Sequence, residues 1–588
     1  MAGDDERALF NVFLLEKCSL AYLLAILTKD DERKIAHIPV PVREIAFSRL
    51  RSDEKKIAKL VTDARPAVEN PDSSTGGDPE KEDPAAANDL PFKGLARQAP
   101  SAPPPEDQRF AISTYPDVDA VYRRLHALVA QPRRPVKREV MAEYLEYFDD
   151  KCRRSKELTD EAKEYIPGGV QHNLAFNYPF PIAVDRAEGA YLWDVDGNQY
   201  IDLLQAGGPT VLGSNYAPVK DKVIELLEDS GPVTGLFHEY ELKLAELLNR
   251  LVPSVEMFRM FGSGTESVMA AIRAARAATK KRNVIKNGGA YHGWSDQMVY
   301  GMHVPGTRRF ESKGIPFGAT RRTHEVYPNS IPALRRKLIE NQARGGTAAV
   351  ILEPVGPESG TRPVSFDYNR QVRELCDKFG ALLIFDEVVT GFRLGLGCAQ
   401  GYFGVKPDLT VFGKCVTGGY PMAGGVGGRA DLVRTFAAGI GGAGERAYVG
   451  GTLAANPMSC AAGYFAILEM ERTNAPVLAG RAGDRLAAGL NAIVDRYGLP
   501  FVVYNQGSIV HLETSGAMLL DLRNPVRLAR ELKPRTRMIE EMGAAYMANG
   551  LVTLAGSRMY TSMADTDEVI DDALERFERV LANVEPAL

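Results

Sequence analysis

The stretch from Ala381 to Pro421, ALLIFDEVVTGFRLGLGCAQGYFGVKPDLTVFGKCVTGGYP, restricts the possible folds of this chain more than any other. A short apolar run, Ala381 to Phe385, stops at Asp386-Glu387. A second, Leu409 to Phe412, stops at Gly413-Lys414, with Gly418-Gly419 just beyond. Short runs without a polar face are strands covered on both sides, as in an α/β sheet. Charged residues at their carboxyl ends then fall on the sheet edge where such folds bind ligands. One carboxylate and one amine are thus delivered to a single crevice.

The pair has a definite chemistry. A lysine enclosed at a strand end loses hydration, which lowers its pKa and frees a nucleophilic amine. A nearby carboxylate can keep a heterocyclic nitrogen protonated. A Schiff-base lysine with a carboxylate on a pyridinium nitrogen is what a pyridoxal phosphate enzyme requires. A surface salt bridge between two strand ends accounts for the same residues, so this stretch alone leaves both readings open.

Composition narrows the classes. The chain has 588 residues, 25% charged and 45% apolar, which is ordinary globular composition with room for more than one domain. A net charge of −5 argues against electrostatic binding to nucleic acid or anionic membrane. The six cysteines show no CxxC spacing, which fits a reducing compartment rather than a disulfide framework or a zinc site. The start MAGDDER is acidic, unlike a secretory or transit segment. Leu9 to Leu27 is apolar-rich, but Glu16 and Lys17 interrupt it, so an amphipathic helix is expected rather than a membrane span. The expectation is a soluble, cytoplasmic protein.

Residues 1–64 read as a helical extension and 65–112 as a disordered linker, rich in Pro, Ala, Asp and Ser and poor in large apolar residues. Residues 113–163 read as helices without chemistry, His126 included. Pro167-Gly168-Gly169 ends them, and AVDRAEGAYLWDVDGNQYIDLL reads as a hairpin turning at Asp196-Gly197. The span 164–225 is assigned to a small domain, 226–475 to a large one, and 476–588 to the rest of the small α+β domain.

Within the large domain, the strand Met257 to Phe261 runs into Gly262-Ser263-Gly264-Thr265 and the helical ESVMAAIRAARAATKK. A helix start with free N–H groups and two hydroxyls is a ready anion site. It is neither a dinucleotide fingerprint nor a Walker loop, and a lone phosphate suits it better. An ordinary helix capped by Ser263 or Thr265 is the alternative. The strand Asn283 to Lys286 leads to Gly288-Gly289-Ala290-Tyr291-His292-Gly293-Trp294, where Tyr291 can stack on a flat ring or, with Trp294, fill a core. Ala348 to Leu352 is a strand ending at Glu353-Pro354. Gly450 to Pro457 opens a further helix with Thr452 as a second phosphate donor or a cap.

The order of these motifs resembles the class III aminotransferases among the fold-type I pyridoxal phosphate enzymes. The matching segments are SGTES at 263–267, AYHG at 290–293, LEPV at 352–355, LLIFDEVVTGFR at 382–393, GYFGVKPDLTVFGKCVTGGYPMAG at 401–424 and GGTLAANP at 450–457. YIPGGV at 165–170 and EGAYLWDVDGNQYIDLL at 188–204 point to the glutamate-1-semialdehyde aminomutase branch. The resemblance covers about residues 160 to 585. It implies a large domain with a mainly parallel seven-stranded sheet, a small α+β domain, and pyridoxal 5'-phosphate as cofactor.

The resemblance also assigns roles. Lys414 carries the Schiff base and Asp386 pairs with the ring nitrogen. Ser263, Gly264 and Thr265 hold the phosphate. Tyr291 stacks on the ring with His292 beside it, Val388 covers the opposite face, and Glu353 is counted with the cofactor site. Thr452 serves the neighbouring subunit's cofactor, implying a homodimer with shared active sites. Amino donor and carbonyl acceptor are small molecules. The aminomutase carries an arginine after its PGG turn that binds the substrate carboxylate. PGGVQHNLAFNYPFP has none, and Ala175 stands near that place. This favours an aminotransferase, with Arg393 or Arg362 as candidate carboxylate anchors or with a substrate that bears no carboxylate. An intramolecular aminomutase and an amino-acid racemase are the alternatives.

Overall fold

The computed structural model describes residues 109–586, apart from Phe176, residues 303–311, 438–445 and 521–524, and the side chains of residues 525–529. The expected helical extension 1–64 and nearly all of the expected linker lie outside the described residues.

Among the described residues the chain builds three sheets. Strands β1 (Val184–Glu188), β2 (Tyr191–Asp194) and β3 (Gln199–Asp202) form an antiparallel meander. Then come β4 (Met257–Phe261), β5 (Asn283–Asn287), β6 (Thr323–Val326), β7 (Thr347–Leu352), β8 (Leu382–Asp386), β9 (Leu409–Gly413) and β10 (Gly424–Gly428). These seven form one sheet in the order β4-β10-β9-β8-β7-β5-β6. All neighbours are parallel except β10, which runs antiparallel to both β9 and β4. This is the mainly parallel seven-stranded sheet that the family resemblance implies.

Burial explains the pattern. Every residue of β5, β7 and β9 is buried, so none has a polar face to display. The helix Gly264–Thr279 covers the sheet with Ala270, Ala271, Ala274 and Ala275, small side chains that permit close approach. β10, GGVGG, packs tighter still: a Cβ on Gly425 would sit 2.3 Å from the Phe258 ring.

The smaller layer is made by β11 (Val502–Gln506), β12 (Ile509–Glu513), β13 (Leu551–Val552) and β14 (Arg558–Tyr560). β13 pairs in parallel with β3, while β11, β12 and β14 form a separate antiparallel sheet. The helix Val118–Ala130, capped by Asp117, buries Leu125 and Leu128 in the same core as Phe501, Val503 and Phe577.

Two expected boundaries move. Residues 109–112, assigned to the linker, are ordered. Phe110 bridges to Gly395, Ala111 N–H donates to Leu394 O at 3.0 Å, and Ala111 and Ile112 are buried. Three consecutive apolar residues found cover, which a linker composition averaged over 48 positions conceals. The division at 225 falls inside the helix Ala217–Asp229, whose Val219 and Val223 pack with Leu244, Leu248 and Phe412 on the large-sheet side.

Five described cysteines, Cys152, Cys376, Cys398, Cys415 and Cys460, are free and buried. Among the described residues no helix is long and apolar enough to cross a membrane.

Candidate active site

Lys414 follows the last residue of β9 at φ 46°, a left-handed conformation that costs a residue with a Cβ about 1–2 kcal/mol. The turn aims its Nζ at the Gly207 carbonyl, to which it donates at 2.6 Å. Lys414 is half-buried. Lost hydration first, and then the Arg558 guanidinium, bring its pKa down to about 8; Arg393 adds to the lowering, while Cys415 and Asp386 oppose it. Free amine is therefore far more available near neutral pH than for an ordinary lysine.

Asp386 ends β8, beside β9, and pairs in register with Val411, three residues before Lys414. Adjacent strand ends thus bring the carboxylate and the amine to the same rim. Asp386 is buried; its Oδ2 lies 2.7 Å from His292 Nδ1, and its Oδ1 accepts from Val388 N–H at 3.1 Å. Burial lowers the His292 pKa although Asp386 acts against it. The ring is then neutral, with its proton on Nδ1 facing the carboxylate. Its Nε2 is buried and has no partner. Glu387, next in sequence, has a different task. It accepts from Thr390 Oγ1 at 2.6 Å, Ala399 N at 2.8 Å and Gln400 N at 2.9 Å, starting the helix Cys398–Phe403.

Ser263 caps the helix Gly264–Thr279, accepting from Glu266 N–H at 3.3 Å. The capping reading therefore holds for Ser263, and the first-turn N–H groups of Gly264 and Thr265 remain the free donors of a helix start. Val388 is wedged at this place: a Cβ on Gly264 would lie 2.8 Å from Val388 Cγ2, and one on Gly413 would lie 2.9 Å from Val388 Cγ1. Thr265 packs on Gly293, whose φ is 81° and whose Cβ would meet Thr265 Oγ1 at 2.4 Å. The phosphate-type loop, Val388 and the Tyr291–Gly293 turn are therefore one assembly.

Tyr291 is half-exposed on its rim, while Trp294 is 75% exposed and fills no core. Glu353, buried after β7, holds Tyr291 in place by accepting its N–H at 3.1 Å. The same carboxylate accepts from Glu358 N at 2.7 Å and from the Ser359 N–H and hydroxyl. Burial, with Asp386 nearby, pushes its pKa up to about 7.

Thr452 stands apart. It lines an open groove of about 500 Å³ with Val233, Leu236 and Phe237, and Lys414 does not line that groove. The two suggested carboxylate anchors are both engaged. Arg393 is fully buried and donates to Gly208 O twice (2.9 and 2.7 Å), Gln205 Oε1 (3.0 Å), Ser508 Oγ (3.0 Å) and Thr561 O (2.7 Å). Arg362 donates to the Met518 carbonyl. Two neighbours of the site escaped the sequence reading, Arg558 and the Gly207-Gly208 turn. Only the paired glycines after a strand hinted at the second.

The aminotransferase class-III family matches residues 174–581. The chain belongs to the class-III aminotransferases. It is 37% identical over 442 residues to glutamate-1-semialdehyde 2,1-aminomutase of Acetivibrio thermocellus, covering 74% of this chain and 99% of the relative. An omega-transaminase from Sphaerobacter thermophilus shares 28% identity at a TM-score of 0.65, over 73% of this chain and 97% of the other. A transaminase with PLP bound shares 25% at the same TM-score, again over 73% and 97%. This class-III aminotransferase is a pyridoxal-phosphate enzyme, so the fold class and cofactor expected from the sequence both hold.

The residues fit that cofactor. A helix start offers free donors for a phosphate. A shielded carboxylate, oriented by an otherwise unpartnered histidine, suits a ring nitrogen. A lysine with a depressed pKa suits a carbonyl carbon. Glycines at 264 and 413 leave the floor to Val388 alone.

Proposed function

We propose that this class-III aminotransferase moves an amino group between an amine or amino acid and a carbonyl acceptor, with Lys414 as the residue that carries the proton. The observation behind it is an amine with pKa near 8 on the same rim as a carboxylate locked by His292. Bound pyridoxal phosphate supplies an electron-withdrawing ring that lets the carbon bearing the substrate amine give up a proton. Lys414 holds the cofactor and, once released, takes that proton on Nζ and returns it, acting as base and then acid. Asp386 keeps a proton on the ring nitrogen, and His292 keeps Asp386 aimed. Ser263, Gly264 and Thr265 receive the phosphate. Tyr291 and Val388 enclose the ring, and Glu353 fixes the Tyr291 backbone.

A homodimer with shared sites belongs to this reading. Leu236 and Phe237 are 80% and 75% exposed beside Thr452, and Tyr448 is 67% exposed. Apolar surface of this kind supports a subunit interface at this place, from which Thr452 would reach a second copy's cofactor. Free, buried cysteines support a reducing compartment such as the cytoplasm. The 37% identity to a glutamate-1-semialdehyde aminomutase favours intramolecular aminomutation as the second reading.

The test is the visible absorption of purified protein, wild type beside Lys414→Ala, during titration with a panel of amines. Transamination predicts a band present only in wild type, bleached by a donor with one equivalent of free carbonyl product. Bleaching without released carbonyl supports the mutase. A colourless wild type in excess cofactor overturns both.

A further inference from the structure

We propose that Tyr115 is a positioning residue: it fixes the loop 353–364 and, through Glu353, the Tyr291 side of the cofactor pocket. Only its effect on turnover rests on the transaminase reading above. Residues 110–122 lie ahead of residue 174, where the class-III match begins. They are nonetheless built into the fold, and three glycines make room for them. A Cβ on Gly395 would lie 2.7 Å from Phe110 Cδ1, and one on Gly507 would lie 2.8 Å from the Ala111 carbonyl carbon. One on Gly480 would run into the Ala111 carbonyl oxygen. Gly395 stands two residues past Arg393, whereas Gly480 belongs to the helix Ala475–Arg496 and Gly507 to the β11–β12 turn. The segment is therefore a strap laid between the large-sheet side and the smaller layer.

Tyr115 sits where the strap passes into a helix. Pro116 restrains it to an extended backbone, and Asp117 caps the helix Val118–Ala130 by accepting from Ala120 N–H at 2.9 Å. Its ring packs edge-on against Phe366 and Phe403, at 5.7 and 5.5 Å between centroids. So held, its hydroxyl donates to Val364 O at 2.7 Å, and Tyr122 donates to the adjoining Pro363 O at 3.2 Å. Val364 N–H donates in turn to Val355 O at 3.3 Å, which closes the loop on itself. Within the closed loop, the N–H groups of Glu358 and Ser359 hold the Glu353 carboxylate. These two residues stand at φ 50° and 49°, conformations that persist only where surrounding structure enforces them. Glu353 then accepts from Tyr291 N–H at 3.1 Å. Tyr115 is thus joined to Tyr291 by hydrogen bonds and short pieces of chain.

The experiment places Tyr115→Phe in the full-length protein and again in a Glu353→Gln background. Tyr402→Phe is the control: its ring belongs to the same aromatic cluster, but its hydroxyl has no partner among the described residues. One readout is amide hydrogen exchange of the cofactor-free protein, resolved by mass. The other is the Kd for pyridoxal phosphate, from its absorption. Tyr115→Phe should speed exchange at residues 355–364 about threefold or more while β9 exchanges as before. It should weaken cofactor binding about three- to tenfold, the effect of one lost buried hydrogen bond. With Glu353→Gln already present, the same change should alter Kd by less than about twofold, because the path is broken further on. Tyr402→Phe should alter neither readout. Wild-type exchange and affinity in Tyr115→Phe overturn the assignment, as does an equal loss in both backgrounds or in the control. If no amine alters the cofactor absorption, the transaminase reading fails, while exchange and cofactor affinity still decide the role of Tyr115.

Discussion

Two arginines flank the ring of Tyr560, Arg393 at 5.0 Å and Arg558 at 5.8 Å, and their surroundings differ in one respect. Around Arg393 every donor is spent, tying the turn after β3 to Ser508 and Thr561. Around Lys414 capacity is left over: the Nε of Arg558 and the Nε2 of His292 have no partner. A buried charge that is fully bonded holds the fold, whereas one left open has work to do with a ligand.

The sharpest test of that contrast is Lys414→Ala. It should lower kcat/KM by about 10⁴-fold or more while the denaturant midpoint barely falls; a large stability loss would erase the distinction. Asp386→Asn should cost roughly 10³-fold in rate, with cofactor affinity weakened in the same direction. At the junction the order reverses. Arg393→Met should cost about 3–5 kcal/mol in denaturant unfolding, because four partner groups lose their donors. Folded Arg393→Met should keep most of its turnover, and a loss below about 1 kcal/mol would show that the junction is not what holds the layers.

pH separates the two regions more gently. The Lys414 ammonium, lowered from 10.5 to about 8 by burial and then by Arg558, acts as base only when neutral. The rate of the proton-transfer step should therefore rise as pH passes about 8. Arg558→Gln removes a neighbouring cation and should shift that rise upward. For stability, the unfolded lysine holds its proton up to a higher pH than the folded one. Stability from this group thus increases with pH across the window from about 8 to 10.5 and is unfavourable below it. Lys414→Met should therefore make the cofactor-free protein slightly more stable at neutral pH, seen as a higher thermal midpoint. That would be the usual trade between activity and stability.

Much of the seven-stranded sheet could be read from residues alone, because its strands are uniformly apolar and end in charge or glycine. Met257–Phe261 coincides with β4, and the runs at 348–352 and 409–412 fall within one residue of β7 and β9. The polar strand β6, THEV, gave no such signal. Neither did the helix Pro525–Ala548, because Pro534 in its interior disguises the period on which Met538, Met542 and Tyr546 are buried. In the site, Lys414 and Asp386 announce themselves by position at strand ends. Arg558 does not: it lies in a three-residue strand whose register with β12 exists only after the small sheet forms. Arg393 looked like an anchor because its four partners, from Gln205 to Thr561, are scattered over more than 350 positions of chain.

The burial of the five cysteines has a practical side. Burial pushes Cys152 up to about 11 and Cys376 and Cys460 up to about 12, and raises Cys398 and Cys415 as well. A folded thiol of that kind is sheltered from alkylating reagents and nearly devoid of thiolate. Each becomes reactive only when its own layer opens: Cys152 beneath the β1–β3 meander, Cys376 against the large sheet, Cys415 next to Lys414. With Cys18→Ser introduced, labelling time courses resolved by mass would rank the opening of these layers. Repeating them with pyridoxal phosphate present would show which layer the cofactor keeps shut.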